Sequence, residues 1–224
     1  MFERYAIYYA ADGDLAQRGA AWLGYDLAIG APVAHPNFAG LDLHAATQRP
    51  RGYGFHATIK APFRLSEESN EHALEAAFAT FCASQKPAAS DALRLSQIGR
   101  FLALTLEGDQ SHIKDLAAQA VRAFDSFRAP LSEQEIARRK PERLSEAQRR
   151  NLMRWGYPHV MDEFQFHMTL TGPLKDNIRE AVKTAAGTFF EPALPRPFVI
   201  DTLTLAGQNE QSNFEKILTL PLTG

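Results

Sequence analysis

The chain has 224 residues, of which 45% are hydrophobic and 22% are charged. This composition is ordinary for a folded protein, and the length suits one large domain or two small lobes that share an interface. Lysine and arginine number 24 and aspartate and glutamate 26, so the formal net charge is −2. The chain therefore lacks the strongly basic character of a general nucleic-acid binder, although a basic cleft confined to one groove is compatible with this balance.

The cysteine content and the N-terminus indicate a cellular compartment. The single cysteine, Cys82, lies in an apolar helical stretch and is expected to be a buried structural thiol. One cysteine cannot form an intramolecular disulfide, which is typical of a reducing compartment. The N-terminus lacks the long apolar core of a signal peptide, and no apolar run approaches the ~20 residues needed to cross a bilayer. We therefore expect a cytoplasmic protein with no membrane segment.

Apolar periodicity and turn residues predict alternating strands and helices through the first half of the chain. The predicted elements are a strand over 2–10, a helix from 14 to about 25, a strand over 54–65, a helix from 66 to about 85, strands near 93–98 and 101–107, and a helix over 110–127. Residues 30–53 lack a clear period and are predicted to form a long loop with a short helical turn near 41–47. Loops of this length inside a compact domain are often functional.

Residues 128–162 differ in composition because they contain the basic run ARRKPERLSEAQRRN. Pro141 is predicted to divide this connector into two short helical pieces. Its basic side chains fit either a solvated helical face or a lid or basic rim for an anionic substrate. Beyond the connector the pattern predicts a strand over 164–174, a helix over 175–190, and closing strands over 198–205 and 214–220.

One short segment occurs twice, as FHATIKAPF at residues 55–63 and as FHMTLTGPL at residues 166–174. The matched pairs are Phe55 with Phe166, His56 with His167, Thr58 with Thr169, and Pro62 with Pro173, each 111 residues apart. A His-x-Ser/Thr tripeptide alone is weak evidence, since about 0.7 matches are expected by chance. Here both copies lie on predicted strands and are followed by a helix and two strands, so a whole β-α-β-β unit is predicted to repeat.

The strand geometry predicts which side chains of the two copies share a face. Residues i and i+2 of a strand project from the same side. His56 and Thr58 are therefore expected to point one way, and His167 and Thr169 likewise. If the two copies pack around a pseudo-twofold axis, the two faces that carry the His and Thr side chains lie opposite each other across a cleft.

Two histidines facing each other suit the cleavage of a phosphodiester. One takes a proton from the nucleophile and the other gives a proton to the leaving oxygen, which an imidazole does well near neutral pH. The hydroxyls of Thr58 and Thr169 are then placed to donate hydrogen bonds to the non-bridging oxygens. If the alternation continues, Lys60 adds a positive charge to this face and Thr171 adds a hydroxyl.

The two motifs have two other possible interpretations, a structural role in the core and a zinc site. A single histidine in an apolar strand is usually a core residue, and threonine is simply a good strand former. A zinc site is a further alternative, but His-x-Thr is not a ligand pair and no cluster of His, Asp or Glu with suitable spacing joins it. The repetition favours a paired site without a metal or another cofactor.

With these paired motifs, the sequence resembles the 2H phosphoesterase superfamily, whose members carry one His-x-Thr motif in each of two lobes. More narrowly, YGFHATIKAPFRL, FRAPLS, LMRWGYPHV and FQFHMTLTGPL resemble a branch found beside bacterial phosphonate-degradation operons and catalogued as a domain of unknown function. The resemblance implies that His56 and His167 are catalytic, that Thr58 and Thr169 contact phosphate, and that no metal is needed. Other residues in or beside these strings are candidates for the cleft: Tyr5, Arg51, Tyr53, Lys60, Arg128, Trp155 and Tyr157.

The expected fold is α+β, with two pseudo-symmetric lobes, each an antiparallel sheet with flanking helices, around a central cleft. Lobe one is expected over about 1–127, the connector over 128–162 and lobe two over about 163–224, within a single domain. The expected activity is metal-independent hydrolysis of a cyclic phosphodiester. The substrate is expected to be small, a cyclic phosphate of ribose or of a nucleotide. RNA-end processing or joining, and a non-catalytic module that binds a phosphorylated ligand, are the alternatives.

Overall fold

The computed structural model describes residues 2–224. Its strands are β1 (Arg4–Tyr9), β2 (Tyr25–Asp26), β3 (Ala31–Pro32), β4 (Ala57–Phe63), β5 (Ala88–Ser90), β6 (Ala92–Ile98), β7 (Phe101–Glu107), β8 (His167–Thr169), β9 (Phe198–Ile200), β10 (Thr202–Gln208) and β11 (Phe214–Pro221). Its α-helices are α1 (Gly13–Leu23), α2 (Leu43–Arg51), α3 (Glu71–Ser84), α4 (Ser111–Ala123), α5 (Glu133–Arg138), α6 (Glu146–Trp155) and α7 (Asp176–Phe190). Within residues 2–224, none of the helices is both long enough and apolar enough to span a bilayer.

Seven strands form one antiparallel sheet in the order β11-β10-β1-β4-β8-β7-β6. Without the edge strand β11, this order is symmetric about the central pair β4 and β8, because β1 matches β7 and β10 matches β6. Strand β6 begins at residue 92 and β10 at residue 202, so these two strands repeat 110 residues apart, close to the spacing of the two motifs. The predicted α+β class, with antiparallel strands and flanking helices, is confirmed.

The repeating unit begins at a different strand from the predicted one: the observed units begin at β1 and β7, not at the strands that carry the motifs. Strand β6 of the first unit pairs with β7, the first strand of the second unit, while β10 of the second unit pairs with β1 of the first. The units are therefore β1-α1-β4-α3-β6 and β7-α4-β8-α7-β10, and each half of the sheet contains strands of both. The tight turn at Gly99-Arg100 joins strands of different units, so the parts predicted as lobe one (about 1–127) and lobe two (about 163–224) exchange strands in this sheet.

The helices cover one face of the sheet. Strand residues such as Tyr5, Ile59 and Met168 pack in one cluster with apolar side chains from α1, α2, α3, α4 and α7. Alternate residues of β1, including Tyr8, point to the opposite face and belong to a smaller cluster with Phe214. Because the helices leave this second face open, it is the face on which the cleft lies.

Two element boundaries differ from the sequence expectation. Strand β8 ends at Thr169 because the next two backbone amides both donate to the carbonyl of Leu102, and the amide of Gly172 donates to Ala46 in α2 at 2.8 Å. These bonds take the chain out of the ladder before Pro173. The region 30–53, predicted as a long loop, contains α2. Asp42 caps the N-terminus of this helix, and its side chain accepts a hydrogen bond from the amide of Ala45.

The connector contains two short helices, α5 and α6, on either side of Pro141, as predicted. Each begins with a serine and a Glu or Gln three residues later that together form a capping box. Within the basic run over 137–151, most of the basic side chains are exposed, namely Arg138, Lys140, Arg143, Arg149 and Arg150. Arg139 is the half-buried one, and its guanidinium lies 4.7 Å from the centre of the Tyr157 ring.

A pair of glycine substitutions tests how tightly α1 packs behind the first motif. A β-carbon on Gly19 in α1 would overlap the ring of Phe55, whereas one on Gly187 in α7 would lie 3.8 Å from its nearest neighbour, an ordinary contact. We expect Gly19→Ala to lower the free energy of unfolding by about 1–3 kcal/mol through overpacking. Gly187→Ala is expected to raise it by about 0.5–1 kcal/mol, because alanine is the better helix former.

Urea unfolding followed by circular dichroism measures both changes. Equal effects of the two substitutions on the unfolding midpoint would contradict the close approach of α1 to Phe55.

Candidate active site

Three of the motif residues lie on the two central strands of the sheet, β4 and β8, and His56 directly precedes β4. Ala57 of β4 is paired with Met168 of β8, and both side chains are fully buried on the helix side. In this antiparallel register His56 is the neighbour of Thr169, and Thr58 is the neighbour of His167. The two histidines then occupy diagonal positions, which are typically about 7–8 Å apart across a strand pair. All four side chains are half-buried on the open face.

Both imidazole rings are held by the backbone in the same way. Nδ1 of His56 lies 3.0 Å from the carbonyl oxygen of Gly54, and Nδ1 of His167 lies 2.9 Å from that of Gln165. A carbonyl only accepts, so Nδ1 carries the proton in each ring, and in the neutral ring Nε2 is an acceptor. Nε2 of His56 accepts from the hydroxyl of Thr58 at 3.1 Å. Each histidine therefore has its basic nitrogen in a fixed orientation.

Tyr8 covers one face of the His56 ring. The two rings are stacked, with centroids 3.7 Å apart. Burial lowers the pKa of His56 to about 4, the hydrogen bond with Gly54 opposes this, and the nearby charge of His167 lowers it further. The hydroxyl of Tyr8 is itself buried and has no hydrogen-bond partner among the described residues. His56 is accordingly neutral across the physiological pH range.

The second histidine lacks this cover because the symmetry is broken at one position. Tyr8 is opposite Thr58 in the β1–β4 pair, and the matching position opposite Thr169 in the β7–β8 pair is Ala103. Alanine offers no ring to stack on His167. Phe101 lies nearby, but its ring centre is 6.1 Å away and tilted.

Two adjoining cavities on the open face contain the motif residues. One, of about 350 Å³, is lined by His56, Thr58, Thr169, Thr171 and further residues of α2 and the loop after β8. The other, of about 340 Å³, is lined by His167 together with polar side chains of the connector and of the segment before β8. Thr58 and Phe101 line both cavities. The two motifs thus line neighbouring cavities, which are together called the cleft.

Three further expected residues have different positions relative to this cleft. Thr171 lines the first cavity and is buried, and its hydroxyl oxygen accepts a hydrogen bond from the amide of Leu102 at 3.0 Å. Tyr53 also lines the first cavity, with 39% of its surface exposed. Its ring stacks on Phe214 at a centroid distance of 5.3 Å. Lys60 is not in the cleft.

The expectation that Lys60 shares the face of His56 is wrong. The pairing of β1 with β4 shifts register between Ile7 and Tyr8, so that Ile59 is an extra residue in β4. Such a bulge interrupts the alternation of side chains. Lys60 is consequently turned to the helix side, where its ammonium donates to the carbonyl of Val121 at 3.2 Å and burial lowers its pKa to about 8.

The other candidates from the family-like strings contribute mainly to packing. Tyr5 donates to Glu71 on the helix side, and Arg51 donates to the carbonyl of Leu23. Arg128 forms an ion pair with Asp125 at 3.0 Å, which places it beside Lys60. Tyr157 does line the cavity of His167, whereas Trp155 lines only the space around Lys60.

No sequence motif singles out Tyr8, which stacks on His56, or Arg49 and Phe101, which line the first cavity. The same holds for Gln148 and Glu163 in the cavity of His167. Tyr8 lies in a strand whose apolar character hides its role, and Phe101 follows a tight turn like any strand residue. Arg49 lies in the region 30–53, and the unusual length of that predicted loop is the one sequence feature that points toward it. Within residues 2–224 no group of three or more His, Cys, Asp or Glu side chains is arranged to hold a metal ion.

Comparison with known proteins places the chain in a family. A family model described as "protein of unknown function (DUF1045)" matches residues 58–215, and this confirms the branch of unknown function expected from the sequence. Two curated relatives are named ribose 1,5-bisphosphate phosphokinase PhnN. The one from Janthinobacterium sp. (strain Marseille) is 41% identical over 91% of this chain and 47% of its own length. The one from Laribacter hongkongensis is 35% identical over 87% of this chain and 46% of its own length.

The chain therefore spans about half the length of the curated relatives it matches. Among solved structures, E. coli LigT complexed with 3'-AMP is 11% identical with a TM-score of 0.46, and a structure described as phosphoesterase is 10% identical with a TM-score of 0.48. Each comparison covers the whole of both chains. Because both TM-scores are below 0.5, no function is transferred from these structures.

Two substitutions at Tyr8 test its effect on His56. We expect Tyr8→Leu to admit water to the imidazole face and to raise the pKa of His56 from about 4 toward its ordinary value near 6.5. Tyr8→Phe keeps the stacked ring and is expected to leave this pKa near 4. Titration of the histidine ring protons by NMR gives the value for each variant. An equal shift in both variants would mean that the tyrosine hydroxyl, and not the ring, sets the pKa.

Proposed function

The chain belongs to the DUF1045 family, and from the geometry of its cleft we propose that it is a metal-independent phosphodiesterase that hydrolyses a cyclic phosphodiester. The observation that carries this proposal is the diagonal arrangement of two backbone-oriented histidines, each beside a threonine hydroxyl, on one open face. A phosphate between the histidines has an acid on one side and a base on the other, as an in-line displacement requires.

The two histidines are proposed to have different roles. His56 is neutral above a pH of about 4, so its Nε2 is free to accept a proton. It takes that proton from a water molecule, whose oxygen forms a bond to phosphorus. His167 donates a proton to the ester oxygen as the bond between that oxygen and phosphorus breaks. The ring opens, the product is a phosphomonoester with a free hydroxyl, and a proton exchange with solvent restores both histidines.

The threonine hydroxyls are proposed to stabilise the charge that develops on the non-bridging oxygens. The hydroxyl of Thr58 donates to His56 in the absence of substrate, and the arriving water takes its place at Nε2. Thr58 is then free to donate to phosphate, and Thr169 does so from the other strand. Fixed donors in a partly desolvated cleft are effective because they need no reorganisation during the reaction.

The names of the curated relatives suggest a substrate. Those proteins are about twice as long as this chain and are named for a kinase that acts on ribose 1,5-bisphosphate. In the 1,2-cyclic phosphate of ribose 5-phosphate, water can attack phosphorus while the bond from phosphorus to the 2-oxygen breaks. The product is then ribose 1,5-bisphosphate. We therefore propose this cyclic phosphate as the substrate, in line with the phosphonate-linked branch that the sequence resembles.

One observation favours a second candidate, a nucleoside 2',3'-cyclic phosphate at an RNA end. Tyr53 has an exposed ring at the edge of the first cavity and is supported from behind by Phe214. A supported aromatic face of this kind is a platform for a nucleobase.

The acid–base pair is tested by replacing each histidine. We expect His56→Ala and His167→Ala each to lower kcat by about 10²- to 10⁴-fold, because each removes one proton transfer. The double variant is expected to lose little more than either single variant, since the two groups act as a unit. His112→Ala, on the exposed surface of α4, is the matched control and should retain full activity.

These rates are measured with excess chelator present, and wild-type turnover is expected to be unaffected by it. Activity that disappears with chelator and returns with a divalent cation would contradict a metal-independent reaction. Binding that persists in both histidine variants, with no turnover by the wild type of any cyclic phosphate, would support a non-catalytic module instead.

Tyr53 discriminates between the two substrate candidates. If a nucleobase stacks on it, Tyr53→Ala should lower kcat/KM for 2',3'-cyclic AMP by about 10- to 100-fold. For the ribose cyclic phosphate, which has no base, we expect less than a threefold change. Steady-state kinetics on both compounds, with Tyr53→Phe as the control that keeps the ring, gives the comparison.

A further inference from the structure

Two arginines in the last turn of α2 have very different surroundings. The guanidinium of Arg51 donates to the carbonyl of Leu23 at 3.0 Å and also contacts the ring and the carbonyl of His44. Arg49, two residues earlier, is exposed and makes no side-chain hydrogen bond or ion pair with any of the residues 2–224. It lines the cavity that contains His56. In the same helical turn, Arg51 is therefore held by the protein, whereas the guanidinium of Arg49 faces solvent in the cavity.

Arg49 is nevertheless carried on a fixed element. The amide of Gly172, just after β8, donates to the carbonyl of Ala46 in α2 at 2.8 Å. A β-carbon on Gly172 would lie 3.5 Å from Cβ of Arg49, so the base of the arginine packs closely on this loop. The contacts tie α2 to the end of the strand that carries His167 and Thr169. The guanidinium therefore has a limited range of positions over the cavity.

The charges in the cleft are unevenly distributed. Among residues 2–224, Arg49 is the only lysine or arginine that lines either cavity. The carboxylate in the lining, Glu163, belongs to the other cavity and accepts a hydrogen bond from Gln148 at 2.9 Å. A second anionic group on the substrate is thus attracted to the His56 cavity and disfavoured beside Glu163. Guanidinium groups are well suited to phosphate because they offer paired N–H donors with a permanent charge.

We propose that Arg49 binds a second phosphate of the substrate, remote from the phosphodiester that is hydrolysed, and so makes the enzyme selective for a doubly phosphorylated sugar. This inference rests on the proposed function, in which the substrate carries a 5-phosphate as well as the 1,2-cyclic phosphate. A cation at a helix C-terminus also stabilises the helix dipole. Arg51 lies in the same last turn and also binds the carbonyl of Leu23 at the end of α1, so it already has a structural role.

The first experiment compares two substrates that differ only in the remote phosphate, the 1,2-cyclic phosphates of ribose 5-phosphate and of ribose. Arg49→Gln is expected to lower kcat/KM for the first by about 10- to 100-fold, mostly through KM, since the contact is equal in ground and transition states. For the second we expect a change of less than twofold. Lys183→Gln removes an exposed charge from α7, on the helix side of the sheet, and should change neither value. Equal losses on both substrates, or no loss on either, would overturn the proposal.

The second experiment is independent of turnover and uses ribose 5-phosphate as the probe in isothermal titration calorimetry. Wild-type protein is expected to bind it about 10- to 100-fold more tightly than Arg49→Gln, with Lys183→Gln like the wild type. Absence of binding, or equal binding to wild type and Arg49→Gln, would overturn the phosphate site at Arg49. Arg49-dependent binding together with no hydrolysis of either cyclic phosphate would leave this site standing and reject the proposed function.

Discussion

The cleft depends on a single pairing at the centre of the sheet, that of Ala57 with Met168. These two residues are 111 positions apart, the same spacing as the motifs, so the approximate twofold axis passes between them. Their side chains face the helices and are fully buried. Because side chains alternate along a strand, burial of this pair puts the flanking histidines and threonines on the open face. A slip of one residue would reverse all of them at once.

The approximate symmetry of the sheet does not by itself give the two histidines different surroundings. Both imidazoles are oriented by a carbonyl two residues earlier in the chain, so the symmetry makes them equivalent. The difference comes from a neighbouring strand, where one position is Tyr8 in the first unit and Ala103 in the second. A stacked ring excludes water from His56 and disfavours its charged form. Divergence at one paired position is thus enough to distinguish two otherwise matched histidines.

The sequence was informative where the signal is local and repeated. In a strand motif that occurs twice, the alternation of side chains predicts which residues share a face. The side chains of His56, Thr58, His167 and Thr169 lie together on the open face, as the alternation predicts. Lys60 could not be predicted in the same way, because the bulge at Ile59 arises from pairing with β1, more than fifty residues away. Tyr8, which stacks on His56, and Arg49, which lines the cleft, belong to elements that no motif marks. The strand at which each repeat begins could not be predicted, because it depends on which strands pair in the folded sheet and not on their order along the chain.

The exchange of β6 and β10 between the two units concerns the origin of the fold. In this sheet the last strand of each unit pairs with the first strand of the other unit, and β4 pairs with its counterpart β8. Two separate copies would complete each other by swapping their last strands and joining their two β4 strands, which is a domain-swapped dimer. The present chain has that architecture with both subunits in one polypeptide. What would be a subunit interface in such a dimer is here the centre of the sheet, and the cleft lies across it. Each unit contributes one histidine, and because both units belong to one chain, a substitution can change one histidine's surroundings without the same change in the other's.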